Sequence, residues 1–202
     1  MKKAICSLAV LAALTSAQAF AHQEGDFIVR AGLASVVPND DSDMNAGAKI
    51  EVDSNTQLGL TFGYMFTDNI SFEVLAASPF THDISLQGMG KVGETKHLPP
   101  TFMVEYYFGD SQSKLRPYVG AGINYTVFFD EKTSLGTLSL DDSWGLAANV
   151  GLDYMLNDDW FINGSIWYAD IDTKAKIRGG VDVDVNVDID PWIFMLSGGY
   201  KF

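Results

Sequence analysis

What most constrains this chain is an alternation of period two that recurs eight times with the same bias: large apolar side chains at one parity, small, polar or glycine residues at the other. Leu58, Leu60, Phe62, Tyr64 and Phe66 alternate with Gln57, Gly59, Thr61, Gly63 and Met65. Ile70, Phe72 and Val74 alternate with Ser71, Glu73 and Leu75, and Val119, Ala121, Ile123 and Tyr125 with Tyr118, Gly120, Gly122 and Asn124. The same rhythm begins at Phe27, Phe102, Trp144, Trp160 and Trp192. Successive side chains of a strand point to opposite faces, so each segment reads as a strand between two unlike environments. A soluble barrel would turn its bulky apolar face inward and its polar face to water. Here aromatic residues gather at strand ends (Phe66, Phe108, Phe129, Tyr154, Trp160, Trp192, Tyr200 and Phe202), as they do at the two interfaces of a membrane-spanning barrel.

Connections alternate as well. Short turns at 67–69, 109–115 and 157–159 separate long connections at 38–55, 80–98, 130–142 and 172–190, which read as loops on the outer side. The expected fold is therefore all-β: an eight-stranded antiparallel transmembrane barrel in the outer membrane, its apolar coat facing lipid and lipopolysaccharide. The 47% hydrophobic content belongs to that coat, and no apolar run is long enough for a spanning helix. A net charge of −13 argues against nucleic acid as a partner.

The N-terminus reads as an export leader. Lys2 and Lys3 precede a short apolar stretch, and Ala19-Phe20-Ala21 forms an A-x-A site, placing cleavage after Ala21 and the barrel over 22–202. Cys6, the only cysteine, leaves with the leader, so no disulfide staples the mature chain. A terminal Phe202 on an alternating strand fits recognition by barrel-insertion machinery. A closed barrel has no free edge, so a monomer suffices.

Several stretches carry a family resemblance: Asn55-Thr56-Gln57-Leu58-Gly59-Leu60-Thr61-Phe62, His97-Leu98-Pro99-Pro100-Thr101, Arg116-Pro117-Tyr118-Val119-Gly120-Ala121-Gly122-Ile123-Asn124-Tyr125, Trp167-Tyr168-Ala169-Asp170-Ile171-Asp172-Thr173 and Asp190-Pro191-Trp192. Together they resemble the outer membrane protein W (OmpW) family, with the long loops least alike. The resemblance implies an eight-stranded outer-membrane barrel with a narrow apolar interior that passes or binds small hydrophobic molecules. It also implies a lumen constricted by a leucine on the third strand and a tryptophan on the seventh, which map onto Leu75 and Trp167.

Parity treats the lumen independently of the family. Leu75 shares a face with Ser71 and Glu73, and Trp167 with Asn163 and Ser165, so both point inward. Inward charges Arg30, Glu73, Glu105, Asp153 and Lys201 all fall near the short-turn end, with Leu75, Met103, Ile193, Met195 and Trp167 above them. This predicts a charged plug below an apolar upper lumen, since charges in a tight interior must pair. Pro79, Pro99 and Pro100 cannot donate to a β ladder and mark a lateral gap for exit to the bilayer, or simply the strand ends.

Other signals are weaker. Asp182-Val183-Asp184-Val185-Asn186-Val187-Asp188 lacks the glycine and glutamate of a calcium loop and reads as a hairpin ribbon after Gly179-Gly180. His82 and His97 share a long loop, where histidines are ordinarily solvated, and their spacing matches no zinc site. No metal, cofactor or catalytic group is expected. Two competing classes are a structural or receptor barrel acting through its outer loops, and a lipid-modifying enzyme using His97 with Ser78 or Thr101.

Overall fold

The computed structural model describes residues 21–39, 50–86, 90–179 and 182–202, and the expected leader lies outside them apart from Ala21. The described residues form β1 (Phe27–Val37), β2 (Ile50–Val52), β3 (Asn55–Met65), β4 (Ile70–Ala77), β5 (Phe80–Leu86), β6 (Gly90–Leu98) and β7 (Thr101–Tyr107). They continue with β8 (Leu115–Thr133), β9 (Gly136–Leu140), β10 (Ser143–Met155), β11 (Trp160–Ala169), β12 (Asp172–Gly179), β13 (Val183–Asp188) and β14 (Trp192–Lys201). Eight of these close a ring: β10, β11, β14, β1, β3, β4, β7 and β8 pair antiparallel in that order, and β8 returns to β10. First and last strands join from Ile28↔Lys201 to Val37↔Trp192, which leaves the ring without an edge.

The outward parity carries Leu33, Leu58, Phe62, Val104, Val150 and Leu196, all exposed, while Thr61, Ser71, Asn149, Asn163 and Ser197 on the inward parity are buried. Leu146 is 71% exposed and Leu196 67%, a contiguous apolar surface that only a lipid environment accommodates. Aromatic pairs bound this coat. Near the short turns Phe27 meets Tyr64, Tyr106 meets Phe108, and Trp160 meets Tyr200. At the other rim Tyr125 stacks on Trp144 at 4.4 Å and Tyr168 packs against Trp192 at 5.3 Å. Phe129 lies higher than this belt, opposite Lys96 on the neighbouring strand.

Beyond the hairpin ribbon expected around 182–188, which β12 and β13 form, the long connections are not the loops their length and polarity suggested. Above the membrane belt β6 continues the barrel wall by pairing with β8, β5 pairs with β6 and β2 with β5, while β12 pairs with both β13 and β9. The reason is an alternation of opposite sense. Ala175, Ile177, Val185 and Val187 line an interior space, while the intervening Lys174, Lys176, Asp184 and Asp188 face water. Below the belt the apolar parity faces out; above it, the apolar parity faces in.

Candidate functional site

The interior has three storeys. In the lowest, Arg30 is 1% exposed and its guanidinium pairs with Glu73, donates to Asp153 at 2.8 Å and to the Tyr107 hydroxyl at 2.5 Å. Thr61 donates to Glu73 at 3.0 Å. Glu105 stands apart from Arg30 and accepts from Ser71 at 3.0 Å and Asn149 at 2.7 Å. Lys201 sits lowest, donating to the Ala21 carbonyl at 2.9 Å and lying 3.4 Å from Asp26. The five inward charges named from the sequence thus occupy one buried layer, each with a partner.

Two members of that layer escaped sequence reasoning. Arg116, fully buried, donates to the backbone carbonyls of Phe108, His22 and Asp68 at 3.0, 3.1 and 2.7 Å. It shares the inward parity of Tyr118 and Asn124, a signal that was available. His22, equally buried, places Nε2 2.7 Å from Asp153 and packs edge-on against Phe161 at 4.8 Å. It precedes the first strand, so no periodicity marks it. Of the cations in this layer only Arg30 meets Glu73 and Asp153 directly, and the rings of Tyr107, Tyr118 and Phe161 pack around the two arginines. Two glycines make room for those rings: a Cβ at Gly151 would run into the Tyr118 ring, and one at Gly199 into that of Phe161.

In the middle storey Leu75, Met103, Trp167, Ile193 and Met195 come together with Ala34, Val36, Phe80 and Ala147 in one buried cluster. They fill the lumen, as an eight-stranded barrel just wide enough for side chains requires. Trp167 satisfies its indole by donating to Ser165 at 3.0 Å. None of these five lines the cavity above.

That space, a cavity of about 110 Å³, occupies the upper storey between the strand extensions. Its wall is largely aliphatic, with Val36, Ile84, Leu138, Leu140, Ile171 and Val187 among its members. The polar exceptions include His82 and His97, and here the expectation of solvated loop histidines is corrected: they are 3% and 5% exposed and stack on each other at 4.9 Å. They are buried because β5 and β6 form paired strands with the two rings on the inward side. Burial holds His82 below the ordinary imidazole range, against the hydrogen bond its Nδ1 makes to the Asp53 carbonyl at 2.5 Å. Burial, with His82 alongside, pushes His97 down to about 3. Both rings are neutral at physiological pH. His97 is not paired with either proposed catalytic hydroxyl, since Ser78 donates to Gln57 and Thr101 to the Pro99 carbonyl.

The barrel ladder has a seam between the middle and upper storeys, at residues that do not line the cavity. β4 pairs with β7 as far as Leu75↔Thr101, and pairing resumes between β5 and β6 at Phe80↔His97. Between them lie Pro79, Pro99 and Pro100, and among the described residues no ladder bond joins the third and fourth barrel strands there. Elsewhere on the outer rim, Asp170, Asp172 and Asp190 bring carboxylate oxygens within 4.8 Å of one another, a convergence distinct from the 182–188 run that the sequence singled out.

Three comparisons place this architecture among known proteins. The family model described as "OmpW family" matches residues 23–202. Outer membrane protein W of Vibrio cholerae is 65% identical over 217 aligned positions, covering 100% of both chains. The crystal structure of the outer membrane protein OprG from Pseudomonas aeruginosa superposes with a TM-score of 0.86 at 45% identity, covering 90% of this chain and 98% of that one. The solid-state NMR structure of outer membrane protein AlkL in DMPC bilayers has a TM-score of 0.72 at 27% identity, over 92% and 94% of the two chains. A closed ring of eight strands, a lipid-facing coat and a family match running from the first strand to Phe202 lead to one conclusion: this chain belongs to the OmpW family and is an outer-membrane β-barrel.

Proposed function

We propose that the barrel binds small hydrophobic molecules in its upper cavity and releases them sideways into the bilayer at Pro79, Pro99 and Pro100, while the charged base keeps the periplasmic end closed to water and ions. The observation that carries this reading is the aliphatic cavity standing above a base whose buried charges are each held by an ion pair or by hydrogen bonds. An apolar solute gains by leaving water for such a wall, at about 25 cal/mol per Å² of surface buried. It gains nothing by crossing a layer of desolvated ion pairs. Leu75 and Trp167 constrict the lumen, and Met103, Ile193 and Met195 complete an apolar floor that turns the solute towards the seam. Lipid and lipopolysaccharide contact the outward coat, and Phe202 presents the chain end to the insertion machinery. No catalytic step or cofactor enters this reading.

The test combines uptake and conductance. A reversible crosslink between cysteines placed at Ala77 and Pro99 should depress uptake of a hydrophobic probe about tenfold and release it on reduction. Replacing Leu75 and Trp167 with glutamine should also impair uptake. Unchanged uptake in the crosslinked barrel removes the lateral exit, and unchanged uptake in the glutamine variant leaves the lumen as inert filling, with function in the outer surface. A large conductance in planar bilayers that scales with salt would refute the plug.

A further inference from the structure

The mouth at the short-turn end is crossed by chain that belongs to no strand. Ring order sets β1 and β8 opposite each other, four strands apart in either direction. Residues 22–26 precede β1, yet His22 reaches the far side. Its carbonyl accepts from Arg116 of β8 at 3.1 Å, and its Nε2 lies 2.7 Å from Asp153 of β10. The Glu24 amide donates to Asp68, in the 67–69 turn, at 2.9 Å. The segment therefore runs from wall to wall beneath the base, and none of these bonds depends on Ala21, which is expected to leave with the leader. The covering shows at the strand ends. Met65, Tyr107 and Met155 are the last residues of β3, β7 and β10, where an open mouth would wet them, and all three are fully buried.

The two ends of this segment are held differently. At its root the Gly25 amide donates to the Met65 carbonyl at 2.9 Å, Met65 donates back to the Asp26 carbonyl at 3.0 Å, and Asp26 lies 3.4 Å from Lys201. The chain turns there: the Asp26 amide donates to the Gln23 carbonyl at 3.1 Å, with Gly25 at a φ of 93° in the third position, where such a turn needs a residue free to adopt positive φ. Residues 22–24 enter no ladder among the described residues. The tip is held through His22, by the two bonds just given and by edge-on ring contacts with Tyr107 at 5.4 Å and Phe161 at 4.8 Å. That hold is incomplete. Asp153 also accepts from Arg30 at 2.8 Å and is a carboxylate, so Nε2 carries the His22 proton and Nδ1 is a bare lone pair. Nδ1 is buried and, among the described residues, has no hydrogen-bond partner, a penalty that the docked segment carries and a hydrated one does not.

We propose that residues 22–26 are a detachable strap over the periplasmic mouth. Docked, the strap keeps water from Asp153 and Arg30; released at His22, it admits water to the base while the ring of eight strands and the apolar storey above stay as they are. This rests on the reading of the base as a seal and names the part of the seal that moves. Asp153 is the latch, because one oxygen, Oδ2, receives both His22 and Arg30. Swinging the strap about Gly25 breaks the first of these bonds and leaves the second, and no strand pairing is lost.

The experiment uses the exported barrel in lipid nanodiscs, which leave both mouths open to a reagent. Beyond Cys6 of the expected leader the chain has no cysteine. Met155→Cys therefore serves as a reporter behind the strap and Met103→Cys, in the middle storey, as a control. Reaction of each thiol with a cationic methanethiosulfonate is timed with and without His22→Asp, which sets a carboxylate against Asp153. His22→Asp should speed the reaction at position 155 by about tenfold or more, the worth of the charge-assisted hydrogen bond it removes, and leave position 103 slow. With His22 in place both positions should be slow. A rate at 155 unchanged by His22→Asp overturns the strap and leaves the seal standing. Fast reaction at 155 with His22 in place overturns the seal, and the strap with it. Acceleration at 103 as well as at 155 is the behaviour of a barrel loosened throughout and also overturns the strap. Folding of each variant is read from the heat-dependent gel mobility of the closed barrel, and if His22→Asp does not assemble, His22→Ala is read by the same outcomes.

Discussion

Replacing Arg30 with methionine tests whether the base of the barrel is dry. The guanidinium pairs with Glu73 and Asp153, donates to Tyr107, and lies 5.5 Å above the Tyr118 ring and 5.4 Å from that of Phe161. Methionine keeps much of the stem and removes every one of these contacts. The two carboxylates then fare differently. Asp153 retains His22 at 2.7 Å and Asn163 at 2.7 Å, whereas Glu73 retains, among the described residues, only the Thr61 hydroxyl at 3.0 Å. Stranding a buried charge costs about 3–5 kcal/mol. The expected loss in that range falls mainly on Glu73, so adding Glu73→Gln to Arg30→Met should return stability to within about 2 kcal/mol of wild type. Reversible urea unfolding of the lipid-embedded barrel, followed by tryptophan fluorescence, measures both values. A loss below about 1 kcal/mol, with the two substitutions simply additive, is the behaviour of a solvated pair and would refute the sealed base.

Two further outcomes test neighbouring parts of the argument. Gly151→Val should displace the Tyr118 ring and with it the hydrogen bond from Asn163, costing about 1–3 kcal/mol through overpacking and raising ion leakage in planar bilayers. The barrel extensions should weaken in acid. His97 is held at about 3 against 6.5 for the free ring, so the folded state binds fewer protons between those values. Its contribution is complete above about pH 6.5 and is lost as the pH falls towards 3. Protease cleavage of the extensions should rise over that interval, and His97→Phe should flatten most of the rise, with a residue left from His82, which burial lowers in the same direction.

The lipid-facing coat was legible in the chain because one physical contrast, lipid against lumen, repeats at every second residue from Phe27 to Phe202. The base was half legible. Parity marks Arg30, Glu73 and Asp153 as inward, but pairing across 123 positions between Arg30 and Asp153 leaves no local trace. Arg116 could have been found by extending the inward parity of Tyr118 two residues back. The upper storey was legible only at the hairpin ribbon around 182–188; the rest was missed because its strands invert the rule that identified the others. Ala175, Ile177, Val185 and Val187 alternate as clearly as Leu58, Leu60 and Phe62, yet with lysines and aspartates between them the ribbon read as a projection above the membrane and not as the wall of a cavity. With β5 and β6 assigned to a loop, the burial of His82 and His97 could not follow.

The breaks between lower and upper strands also bear on how such a chain can change over evolutionary time. Seven of the eight barrel strands stop at the outer rim or are interrupted near it, at residues 38, 53–54, 78–79, 99–100, 141–142, 170–171 and 189–191, and β8 alone runs from base to extension as one element of 19 residues. An inserted or deleted residue at one of those breaks is absorbed locally, so the upper storey can be resized and its ligand preferences altered while the lipid-facing register below is kept. The same event within the first thirteen residues of β8 would turn its lipid face inward and its lumen face outward along the rest of the strand. β8 is thus the ruler of the molecule, the segment whose length lineages must keep while the cavity above it diversifies.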